Sequence, residues 1–246
     1  MILLEHVSKR FGDALAVADL SLAIQPGEIF ACLGPNAAGK TTTIRMLVGL
    51  LRPTAGRIAI GGHDLAAQPQ EAKRLLAYIP DQPFLYEQLT GREFLEFVGQ
   101  LYGINGADQG RRIEAWLATF GLDSAQEMLI ESYSHGMRQR LSYCAAFLHE
   151  PRVLVLDEPM VGLDPKAARL VKEALRQQAT QDGLTVFLST HVLSVAEEVA
   201  DRIGIIDHGH LVALGTLPEL RSRAGSTGQL EEVFLRLTGG APQVVG

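Results

Sequence analysis

Apolar positions in this chain follow two spacings. Short unbroken runs, Glu28-Ile29-Phe30-Ala31-Cys32-Leu33 and Val153-Leu154-Val155-Leu156, read as buried strands. Ile2–Val7, Ala18–Ile24, Arg57–Ile60 and Leu75–Ile79 are also strand-like, with turn signals at Gln25-Pro26-Gly27 and Gly61-Gly62 and a stop at Pro80. Elsewhere the spacing is helical. Phe94, Leu95, Phe97, Val98, Leu101 and Tyr102 recur at i, i+3, i+4, as do Ile113, Trp116, Leu117 and Phe120, so Leu85 to Leu129 reads as helix. A helix runs from Ser134 to His149 and is stopped by Pro151. Then follow a helix over Pro165–Gln178, a strand over Leu184–Leu188 and a helix over Val192–Ala200. A hairpin of Arg202–Asp207 and His210–Gly215 comes next, then short amphipathic helices over Leu217–Arg223 and Leu230–Leu237 and a frayed tail over Gly239–Gly246.

Strands alternating with helices predict an α/β fold whose core sheet is mostly parallel and covered on both faces. The early strands, Glu28–Leu33 among them, are expected to form a separate N-terminal antiparallel β subdomain. The helical block interrupts the strand pattern and reads as an inserted α-helical subdomain over residues 85–150. The whole, residues 1–246, reads as one domain ending in a helical tail over 216–246.

Composition narrows the class. With 47% hydrophobic residues the chain is globular, and a net charge of −6 argues against nucleic acid as a partner. Cys32 and Cys144 sit far apart in apolar runs and read as reduced core thiols, which points to a cytoplasmic protein. The N-terminus lacks the pattern of a signal peptide, and no uncharged apolar run approaches the ~18 residues of a membrane span. His63-Asp64 reads as a solvated turn pair, and Asp207, His208 and His210 as a glycine turn rather than a metal cluster.

Two stretches carry chemistry. Gly34-Pro35-Asn36-Ala37-Ala38-Gly39-Lys40-Thr41-Thr42 fits G-x-x-x-x-G-K-[ST], between a strand and a helix start. Such a loop turns its backbone N–H groups inward, and the helix terminus adds partial positive charge, so phosphate binds there. Lys40 would reach the β- and γ-phosphates of a bound nucleotide, and the Thr41 hydroxyl would ligate Mg²⁺. The strand Val153–Leu156 ends in Asp157-Glu158-Pro159, at the sheet edge where ligand groups collect. There Asp157 can bind Mg²⁺ and Glu158 can polarise a water for in-line attack.

Between them lies Ser132-Tyr133-Ser134-His135-Gly136-Met137-Arg138-Gln139. With this stretch the set resembles the ATP-binding cassette (ABC) ATPases, the nucleotide-binding subunits of ABC transporters, which have the P-loop NTPase fold. The motifs stand in family order over nearly the full chain. Tyr133–Met137 looks like the signature motif, Gly162-Leu163-Asp164 like the D-loop, Ser189-Thr190-His191 like the switch-histidine segment, and Phe11 like the aromatic that stacks on adenine. The resemblance implies that two cassettes, identical or closely related, face head to tail. Ser134, His135, Gly136 and Met137 would then serve a nucleotide held by the partner. It also implies a separate membrane permease that brings this chain to the cytoplasmic face of the membrane. The tail Leu230–Phe234 and the Tyr-Ser-x-Gly-Met signature look like exporter cassettes of the ABC-2 type.

Two positions depart from that family's pattern. Ala37 stands where glycine is usual, and a Cβ held in a left-handed conformation costs about 1–2 kcal/mol. Asp81 falls where the family's Q-loop glutamine would, with Gln82 one place later. The position after Pro80 favours Asp81 as a catalytic and Mg²⁺-ligating residue, and Gln82 remains the alternative. The competing functional readings are a non-transport cassette and a weakly hydrolysing regulatory switch; intact Glu158 and His191 count against the latter.

Overall fold

The computed structural model describes residues 1–226 and 228–239. Strands β1 (Ile2–Phe11) and β2 (Ala14–Ile24) pair antiparallel, and β3 (Ile29–Leu33), buried along its whole length, leads into the phosphate loop. After α1 (Lys40–Leu47), strands β4 (Ala55–Ile60) and β5 (His63–Asp64) join the first pair in a four-stranded sheet of order β2-β1-β4-β5. The early strands therefore do form an antiparallel sheet, with one correction: β3 leaves it for the core sheet. All five residues of β3 are buried, because it pairs in parallel at the centre of the core sheet and both faces of that sheet are covered. The pair His63-Asp64 belongs to β5, where it closes the sheet edge on Ile60 and Ala59.

Helix α2 (Pro69–Arg74), absent from the pattern reading, starts with proline in its first turn and buries only Ala72. It leads to β6 (Leu76–Ile79). The helical block is α3 (Gly91–Leu101), α4 (Gly106–Thr119) and α5 (His135–Leu148). The chain returns through β7 (Val153–Asp157), α6 (Pro165–Gln181), β8 (Thr185–Thr190), α7 (Leu193–Val199), and the hairpin β9 (Arg202–Asp207) and β10 (His210–Gly215). It ends in α8 (Leu217–Ala224) and α9 (Leu230–Leu237). The frayed tail expected over 239–246 lies, from residue 240 on, outside the described residues.

The core sheet has the order β10-β9-β3-β8-β7-β6 and is parallel except for the β9–β10 hairpin. Side chains alternate across it. Phe30, Cys32, Val153, Val155 and Phe187 face a core shared with α1 and the antiparallel sheet. Ile29, Ala31, Leu33, Leu154, Leu156, Val186 and Leu188 face a second core shared with α5, α6 and α7. The unbroken apolar runs of β3 and β7 are thus two half-buried patterns superimposed, one for each face.

The helices carry their start signals in the sequence. Thr90 and Glu93 form a capping box on α3, the Asp164 carboxylate accepts from the Ala167 N–H at 2.8 Å on α6, and Ser134 caps α5. Between α4 and α5 the aromatics stack. Trp116 lies 4.8 Å from Phe147 between ring centroids, and Phe120 lies 5.7 Å from Tyr143. Phe120 is fully buried, so Phe120→Ala should cost about 3–5 kcal/mol in urea denaturation. Trp116, the chain's single tryptophan, reports that transition by fluorescence. A cost below about 1 kcal/mol would show that the stack is not a stability centre.

Candidate active site

Three strands deliver their carboxyl ends to one place. In β3 and β8, Leu33 lies beside Thr190; in β7 and β8, Asp157 lies beside Ser189. The phosphate loop therefore leaves the sheet next to the two acids. A cleft of about 430 Å³ opens there, walled by the loop from Pro35 to Thr42, by Asp157 and Glu158, by Asp81, and by Phe11 and Ala16 from the antiparallel sheet.

The loop is held from behind. Gly39 has φ 108°, and a Cβ on it would stand 2.6 Å from the Ala16 carbonyl oxygen, so only glycine fits. The Gly209 N–H donates to the Ala38 carbonyl, and the Gly209 carbonyl accepts from the Ala18 N–H, each at 2.9 Å. The turn of the β9–β10 hairpin thus bridges the loop to β2. Lys40 is buried and donates its Nζ to the carbonyls of Gly34 at 2.6 Å and Pro35 at 3.0 Å. A buried ammonium whose hydrogen bonds go to neutral carbonyls leaves positive charge available to an anion in the cleft. Ala37 has φ 64°, the left-handed region that a Cβ disfavours.

The acids are gripped by the end of β8. Asp157 is buried, and its Oδ1 accepts from the Ser189 hydroxyl at 2.5 Å. Glu158 has φ 50°, and its N–H donates to the Ser189 carbonyl at 3.0 Å. Its carboxylate accepts from the Thr190 hydroxyl at 3.2 Å and meets His191 Nδ1 at 2.8 Å. Three successive residues of β8 and its exit therefore hold two successive acids at the end of β7. Burial, reinforced by the negative charge of Asp157 and Asp81, holds the Tyr78 phenol above its ordinary pKa, so it stays neutral beside them. Burial also pushes the Cys32 thiol up to about 12 and the Cys144 thiol up as well, in line with inert core thiols.

The chain brings most of the expected residues together. Phe11 sits half-exposed at the mouth, with Lys9 Nζ 5.2 Å above its ring centroid. Asp81, not Gln82, is among the wall residues. The Thr41 hydroxyl and the carboxylates of Asp157 and Asp81 on one cleft make a hard oxygen donor set that fits Mg²⁺. Gly34 is not among the wall residues, although its carbonyl holds Lys40, and His191 lies on Glu158 rather than on the wall. Ser134, His135, Gly136, Met137 and Asp164 are not in this cleft: they cluster at the starts of α5 and α6. Pattern reading missed Ala16 and the holding roles of Ser189, Thr190 and Gly209. The signal for the hydroxyls was present, because two hydroxyl residues follow the apolar run Val186–Leu188 at the carboxyl end of β8.

The sequence model of the family described as "ABC transporter" matches residues 17–161. The linearmycin resistance ATP-binding protein LnrL of Bacillus subtilis is 37% identical over 92% of this chain and 72% of its own length. The daunorubicin/doxorubicin resistance ATP-binding protein DrrA of Streptomyces peucetius is 40% identical over 89% of this chain and 66% of its own. A solved structure described as an ATP-binding subunit of an ABC transporter superposes with a TM-score of 0.91 at 35% identity, covering 97% of this chain and 99% of that one.

Replacing Ala37 by glycine removes about 1 kcal/mol of backbone strain and should tighten Mg-ATP about fivefold in equilibrium binding. An unchanged Kd would mean that the loop bears the left-handed residue without cost to the ligand. Asp81→Ala should reduce Mg²⁺-dependent hydrolysis about 10–100-fold, whereas Gln82→Ala should leave it close to wild type. The reverse ranking would move the metal-side role to Gln82.

Proposed function

The chain belongs to the ABC transporter family of ATP-binding proteins and is an ATPase, and from that premise we propose that it powers a separate membrane permease by ATP-driven closure of a cassette dimer, in the direction of export. The observation that carries the reading is the grip of Ser189, Thr190 and His191 on Asp157 and Glu158, set opposite the Lys40 loop in one cleft.

In this reading Lys40 and the N–H groups of the loop bind the β- and γ-phosphates of ATP, and Phe11 offers its exposed ring to the adenine. Thr41, Asp157 and Asp81 would hold Mg²⁺, which would supply charge neutralisation on the phosphate oxygens. Glu158 accepts the proton of the attacking water. Thr190 and His191 fix the carboxylate at both oxygens, so it cannot rotate away from that water. The second ring nitrogen of His191 is the one left for the γ-phosphate.

Ser134 and Gly136 stand exposed or half-exposed, outside their own cleft, which suits contact with a triphosphate held by a second cassette, a copy or a close relative. The γ-phosphate then joins the two halves, and its loss lets them part. Residues 85–150 act as the helical subdomain that carries the signature, within one ATPase unit, and α8 and α9 form a helical tail. Phe84, Tyr86, Leu101 and Tyr102 are exposed along its border with the core, where they suit an apolar segment of the permease. No helix among the described residues is long and apolar enough to cross a membrane, so the path for cargo is assigned to that other chain. The relatives named for drug resistance support export.

Glu158→Gln keeps the shape and removes the base. It should lower kcat about 10²–10⁴-fold and trap a Mg-ATP dimer visible by light scattering. A variant that stays monomeric with Mg-ATP, or that hydrolyses at the wild-type rate, would defeat the proposal.

A further inference from the structure

The aromatic ring at the mouth of the cleft is backed by a cation. Phe11 ends β1, pairs with Ala14 of β2 and is half-exposed. Lys9 stands two residues earlier on the same strand, so both side chains leave the same face of it. The Lys9 Nζ lies 5.2 Å from the Phe11 ring centroid, a cation–π contact. Phe11 is a wall residue of the cleft and Lys9 is not. The ammonium therefore covers the side of the ring turned away from the cleft, and the other side stays open to a base. Opposite them the register slips: Lys9 faces Val17 and Arg10 faces Leu15, so Ala16 is the extra residue of a bulge, and it reaches the cleft wall beside Phe11. Neither side chain carries a polar group, so stacking is what the two offer a base.

Lys9 is itself tethered. Its Nζ donates to the Arg52 carbonyl at 2.8 Å. Neighbours on β1 grip the same segment: the Thr54 N–H donates to the Ser8 carbonyl at 2.8 Å, and the Arg10 N–H donates to the Thr54 hydroxyl at 3.1 Å. Residues 52–54 follow α1, the helix that opens in the phosphate loop. One half-buried ammonium thus joins the strand that carries the ring to the chain leaving that helix. Neither a carbonyl nor a ring face neutralises its charge. A cation on one face of an aromatic ring draws π density toward itself, which makes the opposite face a better partner for an electron-rich purine. The tether also holds the ring in one orientation before a ligand arrives, and that lowers the ordering cost of binding.

We propose that Lys9 is a positioning residue for the nucleotide base: it fixes and polarises the Phe11 ring from behind, and so sets the affinity for ATP without touching the phosphates. The inference rests on the functional reading above, in which Phe11 stacks on adenine.

The test measures steady-state ATP hydrolysis by the full chain and by Lys9→Met, Lys9→Arg, Phe11→Ala and the double variant Lys9→Met/Phe11→Ala, with inhibition by inorganic tripolyphosphate and Mg²⁺ as the base-free probe. Lys9→Met keeps the stem and removes the charge and the donor. It should raise KM for ATP about fivefold and leave kcat within about twofold, the pattern of lost uniform binding. The inhibition constant of tripolyphosphate should not move. Lys9→Arg keeps a cation that can lie on the ring and should restore KM. In the Phe11→Ala background, Lys9→Met should add nothing further. Equal KM in wild type and Lys9→Met would overturn the proposal. So would tripolyphosphate weakened by the same factor, which would put the ammonium's effect on the phosphates or their loop. Additive losses in the double variant would overturn it too, because Lys9 would then act through the Arg52 tether and not through the ring. Should Lys9→Met fail to fold, Lys9→Gln, which keeps a donor for the Arg52 carbonyl and loses the charge, takes its place with the same expected rise. Phe11→Ala separates the two levels. If it raises KM while Lys9→Met does not, this inference fails and the functional reading stands. If Phe11→Ala leaves KM unchanged, the base does not stack there, and that part of the functional reading fails with it.

Discussion

The parallel ladder between β7 and β8 is the constraint on which the rest depends. It sets Asp157 beside Ser189, and that single register decides which hydroxyls meet which carboxylates. A shift of one residue would turn Asp157 and Glu158 to opposite faces from those they now use. The ladder is in turn fixed by burial. Val153 to Leu156 and Val186 to Leu188 are all fully buried, with alternate side chains committed to different cores. Hydrophobic packing on two faces thus places two charged groups at the one edge where the backbone stops pairing.

Around that edge, strain and support occur together. Ala37 and Glu158 both hold a positive φ, a conformation costing about 1–3 kcal/mol outside glycine. Each is flanked by bonds that fix it. The Gly209 turn holds the phosphate loop at Ala38, and the Ser189 carbonyl holds the N–H of Glu158. The expense is local, whereas the support comes from strands far away in sequence. The same division recurs in the segment 158–164, which is tied to α5 by Tyr143 and faced by the ring of His135.

Much of this was legible in the residues. The boundaries of β9 and β10 follow from apolar runs around a glycine turn, and the capping residues Ser134 and Asp164 announce the helices behind them. The loop from Gly34 to Thr42 and the acids at 157 and 158 are readable because phosphate and metal chemistry require those residue types at fixed spacing. What stayed hidden had a physical reason. Helix α2 is too short for a period to show and buries a single alanine. β3 resembled its antiparallel neighbours because a local run does not name its partner strand. Ala16 was unremarkable because its part in the cleft comes from the hairpin that carries it to the Gly39 turn.

The sequence by itself determined the chemistry: a loop that can bind phosphate, two acids at a strand end, and a family order of motifs that fixes an ATPase. Each motif is a local property, set by spacing and residue type within a few positions, and their order is read along the chain. Only the tertiary structure decided who holds whom. It assigned Thr190 and His191 to Glu158 and Ser189 to Asp157, gave the Gly209 turn to the phosphate loop, and set the His135 ring on Gly162. These pairings join residues 27 to 171 positions apart, and such contacts form only when strand order and register are set by burial over the whole sheet.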